Sequence, residues 1–398
     1  MRSDTRPRAE AGDWTDRVLD VEVGPVAHGG HCVARHDGRV VFVRHALPGE
    51  RVLAVVTEDT GGSFCRADAI SVRDPHAGRV APACTWARAG GCGGCDWQHA
   101  APSLQRELKT AVVREQLSRL AGIDSDVEVE ELPGGPLGWR SRVRLAVAPE
   151  GRAGLRAHRS HDVLPVADCP IAPEGALPGV LARPHAPGSE FEIVVDADGT
   201  VHDERDGAPV VQRAVGREWR LRPGAFWQVH PELAGTLAGV VGEWGQARPG
   251  ESAWDLYGGA GLFASVLAGQ VGRDGEVTVV ESSSGAVDDG EVALDDLPQI
   301  TWRVGRVEHV LDSLADPDVV VTDPPRSGLG KALVAGICER GPRRIVHVAC
   351  DPAALGRDVG LFAAQGYRLT ALRAFDAFPM THHMECVALL EPEHPAQA

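Results

Sequence analysis

The sequence of 398 residues contains no apolar run long enough to span a membrane, and no apolar stretch follows its charged beginning, MRSDTRPRAEAGDWTD. The first absence excludes a membrane-spanning helix, and the second excludes a secretory signal peptide. We therefore expect a cytoplasmic protein. Because 43% of the residues are hydrophobic and 24% are charged, the composition also excludes fibrous and wholly disordered proteins.

The chain also lacks an excess of positive charge, because its formal net charge is −16. Residues 231–398 hold 12 basic and 24 acidic side chains, so a polyanion would have to be bound by the preceding part of the chain. The densest basic segment is 138–161, with six arginines and one acid. Arg140, Arg142 and Arg144 alternate along a predicted strand and would share one face. That face is either solvated or an RNA contact.

The nine cysteines are an odd number for a disulfide framework, and clustered cysteines in a reducing cytoplasm indicate a metal site or catalysis. Cys84, Cys92 and Cys95 form such a cluster, and Cys169 is the candidate fourth ligand if the chain folds back. Four thiolates suit either zinc or an iron–sulfur cluster, and spacing alone does not decide between them. We interpret the other unclustered cysteines as small buried residues: Cys32, Cys65, Cys338 and Cys386.

The N-terminal third of the chain has the pattern of a small β-protein. Residues 18–72 contain five short apolar segments separated by turn signals, which predicts a barrel of the OB type. A β-rich extension that only packs on its neighbour is the alternative. Helical periodicity follows from Ser103 to Leu120, and strand-like segments occupy 138–211.

From Ser252 the chain alternates apolar strands with helical stretches, which is typical of a doubly wound α/β sheet. Only FPMTHHM joins the last two strands, and so short a connection predicts an antiparallel final strand, giving seven mostly parallel strands. The predicted strands are 252–257, 276–281, 299–304, 318–323, 344–350, 368–376 and 385–391. The predicted helices lie near 260–270, 285–296, 327–340 and 352–366.

A candidate cofactor site follows the first of these strands. Asp255 lies at the strand end, and Gly258, Gly259 and Gly261 let the backbone turn tightly and approach a ligand. The spacing G-x-G-x-x-G is absent, which disfavours a phosphate cradle. Glu281 ends the second strand, where a carboxylate can accept hydrogen bonds from a ribose diol. This arrangement resembles the S-adenosylmethionine site of class I methyltransferases, although a turn that needs glycines for packing is the alternative.

Three reactive side chains are predicted at the same sheet edge. Asp323 begins Asp-Pro-Pro-Arg, which resembles a motif of nucleic-acid methyltransferases, and two prolines hold it rigidly. Cys350 ends the fifth strand, and the amides of the following helix could stabilise its thiolate, although a buried apolar cysteine is the alternative. Glu385 starts the final strand. Thiolate addition at carbon 6 of uracil activates carbon 5 for methylation, and a base must then remove the carbon 5 proton, so Cys350 and Glu385 fit these two roles.

The chain resembles the RNA uracil-5 methyltransferase family in FWQVH, DLYGGAGLF, TDPPRSG, VACDPAALGRD and FDAFPMTHHMECV, which occur in family order. The N-terminal barrel resembles the TRAM domain of many members. The resemblance implies a class I α/β methyltransferase domain behind the barrel and a β-rich central domain. It implies that Gln228, Tyr257, Glu281 and Asp323 contact the cofactor or target, and that Cys350 is the nucleophile and Glu385 the base.

The segment CGGCDWQH resembles the rRNA-modifying branch of the family, whose members bind a [4Fe-4S] cluster, and this favours iron–sulfur over zinc. We therefore expect three domains, at 14–75, 76–225 and 226–398, the last of which methylates uridine in RNA. The favoured target is 23S rRNA. A T-loop uridine of tRNA is the nearest alternative, and a non-catalytic RNA-binding protein is the alternative of another class.

Three departures from the family pattern limit the transfer of roles. His230 and Asp351 stand where the family usually has Asn, so hydrogen bonds donated by an amide are in doubt at both positions. Gly305-Arg306 replaces a Gly-Asp pair, which leaves the adenine contact unassigned. The segment after the second strand, ESSSGAVDDGEVALDD, also differs from the usual Asn-rich helix.

Overall fold

The computed structural model of the protein describes residues 12–393, so the prediction made for the first eleven residues lies outside the described part. Contacts divide the chain into two compact units. The first contains residues 12–108, 157–161 and 380–382, and the second contains 109–156, 162–379 and 383–393. Within 12–393, no helix is both long and apolar enough to cross a membrane. The three predicted domain boundaries stay a prediction.

The first unit contains the predicted five-stranded barrel, which is confirmed. Along its fourth strand Val52, Ala54 and Val56 are buried while their neighbours are more exposed, because successive side chains point to opposite faces of a strand. The spatial order of the strands is first, fourth, fifth, third, second. The strands are β1 Val18–Glu22, β2 Cys32–His36, β3 Arg39–Arg44, β4 Arg51–Asp59 and β5 Phe64–Asp74.

The middle of the chain begins with a helix and continues as a second sheet. The helix α1 Pro102–Ala121 agrees with the predicted periodicity. The next elements are β6 Val129–Glu131, β7 Arg142–Val147, β8 Ala153–Arg156, β9 Val163–Leu164, α2 Pro178–Leu181, β10 Glu190–Val195, β11 Val201–Asp203, β12 Val210–Ala214 and β13 Arg217–Leu221. Five of them form one sheet in the order β11-β10-β7-β8-β9, and β12 pairs with β13 in a hairpin.

The remaining elements of the second unit form an α/β layer. They are α3 Leu233–Gly245, β14 Ser252–Leu256, α4 Leu262–Val271, β15 Glu276–Glu281, α5 Ser284–Ala293, β16 Ile300–Val304, α6 Val307–Val310, β17 Val319–Thr322, α7 Lys331–Glu339, β18 Arg344–Ala349, α8 Pro352–Ala364, β19 Tyr367–Asp376 and β20 Glu385–Pro392. The sheet order is β16-β15-β14-β17-β18-β20-β19-β6.

The seven predicted strands of this sheet are confirmed, and so is the antiparallel last strand, since β20 pairs antiparallel with both β18 and β19. Three elements were not predicted. The helix α3 precedes the sheet, the short helix α6 follows β16, and β6 adds an eighth strand parallel to β19. A strand of three residues is too short to show a periodic pattern, so β6 depends on its partner strand for recognition.

Burial on both faces explains why these strands read as continuous apolar runs. Every residue of β17 is buried. In β14, Ala253 packs into one hydrophobic cluster and the next residue, Trp254, packs into another. Because successive side chains point to opposite faces, the sheet is covered on both sides. Its functional side chains are therefore confined to the strand ends.

A buried ion pair holds the end of β19. The side chain of Lys109, on α1, is fully buried, and its Nζ donates to Asp376 Oδ1 at 2.5 Å and to the Phe378 carbonyl at 3.1 Å. A buried charge is tolerated when it is paired and hydrogen-bonded in this way. The pair thereby fixes the path of the chain from β19 to Phe378.

Candidate active site

The glycine-rich turn after β14 requires left-handed backbone. The φ angles are 63° at Tyr257, 54° at Gly259 and 80° at Gly261. Glycine reaches such angles without steric cost, whereas the non-glycine residue Tyr257 is held in a sparsely populated conformation of the kind found at functional sites. The turn leads directly into α4.

Asp255 supports this turn from inside the protein. It is fully buried, and its Oδ2 accepts a hydrogen bond from the Ala264 amide at 2.8 Å. Its Oδ1 has no hydrogen-bond partner among the described residues. Burial raises the pKa of Asp255 to about 7, and the charges of Asp323 and Glu281 act in the same direction.

Glu281, at the end of β15, is the carboxylate that contacts the loop. Its Oε2 accepts from the Gly259 amide at 3.1 Å, and its Oε1 accepts from the Ser283 amide at 2.7 Å. A Cβ atom on Gly259 would meet nothing within 4 Å, so the backbone at that residue borders open space. A ligand can approach the loop closely there.

The turn opens on a cavity of about 850 Å³ in the second unit. Asp255 is not among its lining residues, so a direct role of Asp255 in cofactor binding stays a prediction. The volume and the carboxylate fit S-adenosylmethionine, because Glu281 can accept hydrogen bonds from a ribose diol. The sequence-predicted residues that line the cavity are Gln228, Tyr257, Gly259, Glu281, Asp323, Cys350 and Glu385.

The chemical groups of the cavity are three residues held at strand ends. Asp323 follows β17, Cys350 follows β18, and Glu385 begins β20. Glu385 is 4% exposed, and its Oε1 is buried with no partner among the described residues. Burial raises the pKa of Glu385 well above its ordinary range, and the charge of Asp323 adds to this effect. Burial likewise raises the pKa of Asp323 to about 7.

The pKa of the Cys350 thiol differs from the expectation drawn from the sequence. The helix α8 begins next to it, as predicted, yet the pKa of Cys350 is raised to about 12, by burial first and then by Glu385 and Asp323. Arg326 opposes the increase. Burial of the thiol beside two carboxylates therefore destabilises the thiolate by more than the amides of the helix N-terminus stabilise it.

A buried polar set supports the Asp323 loop from behind. The Thr322 hydroxyl and His347 Nδ1 are 2.8 Å apart. His347 Nε2 lies 3.5 Å from Asp358 Oδ2, which accepts from the Leu329 amide at 2.8 Å. The set thus connects the end of β17 to the loop before α7, and it fixes the backbone that carries Asp323.

Several lining residues were not identified from the sequence. Phe226 and Phe378 lie within FWQVH and FDAFPMTHHMECV, which resemble family motifs, so this position could have indicated that they line the site. Arg222 lies in no recognised motif; its guanidinium pairs with Asp288 and Asp289 on α5. No sequence signal pointed to it.

The departures at His230 and Asp351 have structural explanations. The ring of His230 stacks on Trp139, with centroids 6.1 Å apart, and its Nδ1 accepts from the Glu232 amide at 3.2 Å. Asp351 caps α8 by accepting from the Ala354 amide at 2.8 Å. Asp and Asn cap helices equally well, so this exchange preserves the helix start.

At the Gly305-Arg306 departure, Arg306 pairs with Glu308 at 3.7 Å, and Glu308 accepts from the Tyr257 hydroxyl at 3.3 Å. Neither Gly305 nor Arg306 lines the cavity of about 850 Å³. The adenine contact therefore stays unassigned.

The predicted arginine strip is only partly available for RNA. On β7, Arg142 and Arg144 flank the buried Val143, so they share a face as expected. The guanidinium of Arg142, however, donates two hydrogen bonds to Glu192, at 2.7 and 3.1 Å. Arg140 donates to the Arg142 carbonyl at 3.1 Å. The role of the strip in RNA binding stays a prediction.

Hydrogen bonds with Gln98 hold the loop of the first unit that carries Cys84, Cys92 and Cys95, called here the cysteine loop. The Gln98 side chain accepts from the Cys84 amide at 2.9 Å and donates to Cys95 Sγ at 3.2 Å. The Gly94 amide donates to Cys92 Sγ at 3.4 Å. Amide hydrogen bonds to sulfur are also found around thiolate ligands of clusters.

The loop does not by itself form a metal site. Across 12–393, no group of three or more His, Cys, Asp or Glu side chains is arranged to hold a metal ion. A Cβ on Gly91 would clash with the Trp86 carbonyl at 2.1 Å, so that glycine is required by the packing of the loop on itself. Cys169 belongs to the second unit. The metal site indicated by the sequence therefore remains a prediction.

Two family models match parts of the chain. Residues 16–69 match the TRAM domain, and residues 305–393 match the family described as tRNA (Uracil-5-)-methyltransferase. A solved structure, the tRNA (uracil-54, C5)-methyltransferase of Pyrococcus abyssi, covers 93% of this chain and 99% of its own, with a TM-score of 0.71 and 21% identity. That likeness shows the fold.

The curated relatives span the whole length. An uncharacterized RNA methyltransferase of Streptomyces coelicolor is 44% identical over 98% of this chain and 96% of its own. The 23S rRNA (uracil(1939)-C(5))-methyltransferase of Alkalilimnicola ehrlichii is 32% identical over 94% and 97%. Fold and site define a class I S-adenosylmethionine-dependent methyltransferase. More narrowly, the chain belongs to the RNA uracil-5 methyltransferase family and carries its N-terminal TRAM domain.

The raised pKa of Cys350 predicts slow alkylation. At about pH 8 a thiol with a pKa near 12 holds very little thiolate, so iodoacetamide should modify Cys350 far more slowly than an unperturbed cysteine. Where the pH is high enough to ionise Glu385, Glu385→Gln removes the charge that raises this pKa most after burial, and there it should speed the reaction several-fold. Mass spectrometry of the Cys350 peptide measures both rates.

Cys338 is the internal control, because burial and Glu339 raise its pKa to about 12 without Glu385. Its alkylation should be the same in both proteins. Equal rates at Cys350 in wild type and Glu385→Gln would contradict the electrostatic coupling.

Proposed function

We propose that the protein transfers a methyl group from S-adenosylmethionine to carbon 5 of a uridine in 23S rRNA, with Cys350 as nucleophile and Glu385 as base. The observation that carries the proposal is the shared cavity. Cys350, Glu385 and Asp323 line the same space of about 850 Å³ as the glycine-rich turn and Glu281. Amino-group methylation would need neither the thiol nor this glutamate.

The cofactor supplies an electrophilic methyl group on a cationic sulfonium. Glu281 would accept hydrogen bonds from its ribose, and Gly259 would let the backbone approach it. Gln228, Tyr257 and Asp323 would complete the contacts. These residues would hold the ligand in the cavity that Cys350 also lines, and such positioning brings reacting groups together before the reaction starts.

Cys350 activates the target uracil. Its thiolate forms a bond to carbon 6 of uracil, and the displaced electron pair makes carbon 5 the nucleophile that takes the methyl group. The carbon 5 proton then passes to Glu385, the enolate re-forms, and elimination breaks the bond to sulfur. A raised pKa makes the ionised carboxylate of Glu385 a stronger base than an exposed carboxylate.

The ribosomal target is favoured by a relative of known name. The protein of Alkalilimnicola ehrlichii that is 32% identical over nearly the full length carries the name of a 23S rRNA methyltransferase. A uridine of the tRNA T-loop is the second candidate, because the matching family and the structure from Pyrococcus abyssi are both named for tRNA. Family membership removes the non-catalytic alternative, since the family is enzymatic.

The nucleophile and the base give different intermediates when each is removed. Cys350→Ala should bind cofactor and RNA but form no covalent adduct and no product. Glu385→Gln should complete addition and methyl transfer but not release, because only release needs the base. A denaturing gel with labelled methyl donor should therefore show a slowly migrating, labelled protein–RNA band for Glu385→Gln.

The Cys350→Ala, Glu385→Gln double variant should lose that band, and Cys338→Ala, which changes a cysteine on α7, should turn over normally. Full turnover by Glu385→Gln would assign proton removal to another group, such as His383 or a water molecule.

The target is tested in cells. A deletion strain should lose 5-methyluridine at one position of 23S rRNA and keep it in tRNA, and nucleoside analysis of the two purified RNA pools measures this directly. Re-expression of the wild-type chain should restore the rRNA mark, and Cys350→Ala should not. Loss of the mark from tRNA alone would replace the ribosomal target with the T-loop uridine.

We also infer a [4Fe-4S] cluster on Cys84, Cys92, Cys95 and Cys169, with zinc as the alternative metal. The donor set supports it, as do the hydrogen bonds from Gln98 and Gly94 to two of the sulfurs. The methylation needs no redox step, so the cluster would be structural or would position RNA.

Anaerobically purified protein should therefore be brown and contain about four irons per chain. Cys169→Ser should lose iron, whereas Cys65→Ser, a change at a buried barrel cysteine, should keep it. Stoichiometric zinc without iron would overturn the cluster, and full iron in Cys169→Ser would overturn the fourth ligand.

A further inference from the structure

The first unit contains a separate cavity of about 390 Å³. Its walls come from β3, β4 and β5 of the barrel, from the cysteine loop at Gly90 and from the segment 157–161. Ligand sites commonly have volumes of roughly 300–1,000 Å³. Nothing in the methyl-transfer chemistry uses this cavity, so its charged lining needs another explanation.

Arg44 provides a buried positive charge whose two ion pairs are long. The residue is 6% exposed, and its nearest carboxylate oxygens, on Asp68 and Asp96, lie 3.9 and 3.8 Å away. Its Nη2 has no hydrogen-bond partner among the described residues. Asp96 is already engaged, because it accepts from the His382 backbone and from His382 Nδ1. A buried guanidinium with an unsatisfied N–H group gains a hydrogen bond when a further anion binds beside it.

Arg66, on β5, lines the same cavity and is also incompletely paired. Its Nε has no hydrogen-bond partner in the described chain and lies 3.5 Å from Glu58 Oε2. That same oxygen accepts from Arg159. Arg66 also lies beside Phe64, 5.8 Å from the ring centroid, and this ring is 41% exposed. An arginine beside an exposed aromatic ring is the combination with which barrels bind single-stranded nucleic acid.

The two histidines of the cavity do not add charge. Burial lowers the pKa of His31 to about 4, with Arg66 and Arg44 acting in the same direction. Burial, followed by Arg44, also lowers the pKa of His158. Both imidazoles are therefore neutral near pH 7 and can donate or accept hydrogen bonds. The permanent charges of the lining are three arginines against two carboxylates, Glu58 and Asp68, in a protein of net charge −16.

We propose that this cavity binds a phosphate group of the substrate RNA through Arg44 and Arg66, as a second RNA contact outside the catalytic cavity. Guanidinium groups match phosphate geometry and form charge-assisted hydrogen bonds with it. The RNA substrate follows from the family and not from the choice between rRNA and tRNA. Unlike Arg142, whose guanidinium is bound to Glu192, these two arginines have unmet hydrogen-bonding capacity.

The test is the salt dependence of RNA binding. A single-stranded oligouridylate of about 20 nucleotides spans the site of one barrel. Arg44→Gln and Arg66→Gln should each weaken its binding about tenfold and lower the slope of log affinity against log salt by about 0.7, the value for one lost phosphate contact. Arg51→Gln is the matched control, because Arg51 is an exposed barrel arginine paired with Asp20. It should leave the slope unchanged.

Methylation provides a second readout, since kcat at saturating RNA should stay the same while KM for RNA rises. Thermal unfolding identifies any variant that fails to fold. If Arg44→Gln does not fold, the test of the phosphate site uses Arg66→Gln, because the Arg66 side chain is partly exposed. If Arg44→Gln and Arg66→Gln both gave the same slope of log affinity against log salt as Arg51→Gln, the proposal would be overturned. Inorganic phosphate that stabilises the wild type, combined with unchanged RNA slopes, would also overturn it in favour of a small-anion site.

Discussion

The cost of removing acidic groups from water is the constraint on which the active site depends. Asp255, Asp323, Cys350 and Glu385 all lie at the carboxyl edge of a sheet covered on both faces, and burial raises the pKa of each one. This edge of the sheet thus favours neutral side chains. A positive charge placed beside these groups would lower their pKa values, because it favours the ionised form of a neighbouring acid.

The supporting structure keeps these groups in place without adding charge to the cavity. Lys109 neutralises Asp376 behind the end of β19, and the Thr322, His347 and Asp358 side chains hold the loop that carries Asp323. Each set lies behind the lining rather than within it. Rigid positioning of this kind matters because the donor, the target base and the thiol must meet in one geometry.

Sequence patterns could predict the sheet because its strands are apolar throughout and its helices are periodic. The same patterns placed Cys350 and Glu385 at one edge, since parallel strands end together and β20 begins there. They could not predict the state of Cys350, because the pKa depends on how fully Glu385 and Asp323 are buried beside it. The buried ion pair of Lys109 could not be predicted either, because its partner, Asp376, is distant in sequence and a lysine on a helix usually lies in solvent.

The position of Glu385 is fixed by strand register. Glu385 pairs with Phe375 on β19, and its neighbour Cys386 pairs with Ala374 on β19 and Ala349 on β18. Because side chains alternate between faces, a slip of one residue would exchange the face of every residue in β20. Loss of a single residue at the start of this strand would either be absorbed by the preceding loop or shift the register of the whole strand, so the chemistry of the site and the packing of the sheet depend on the same strand pairing.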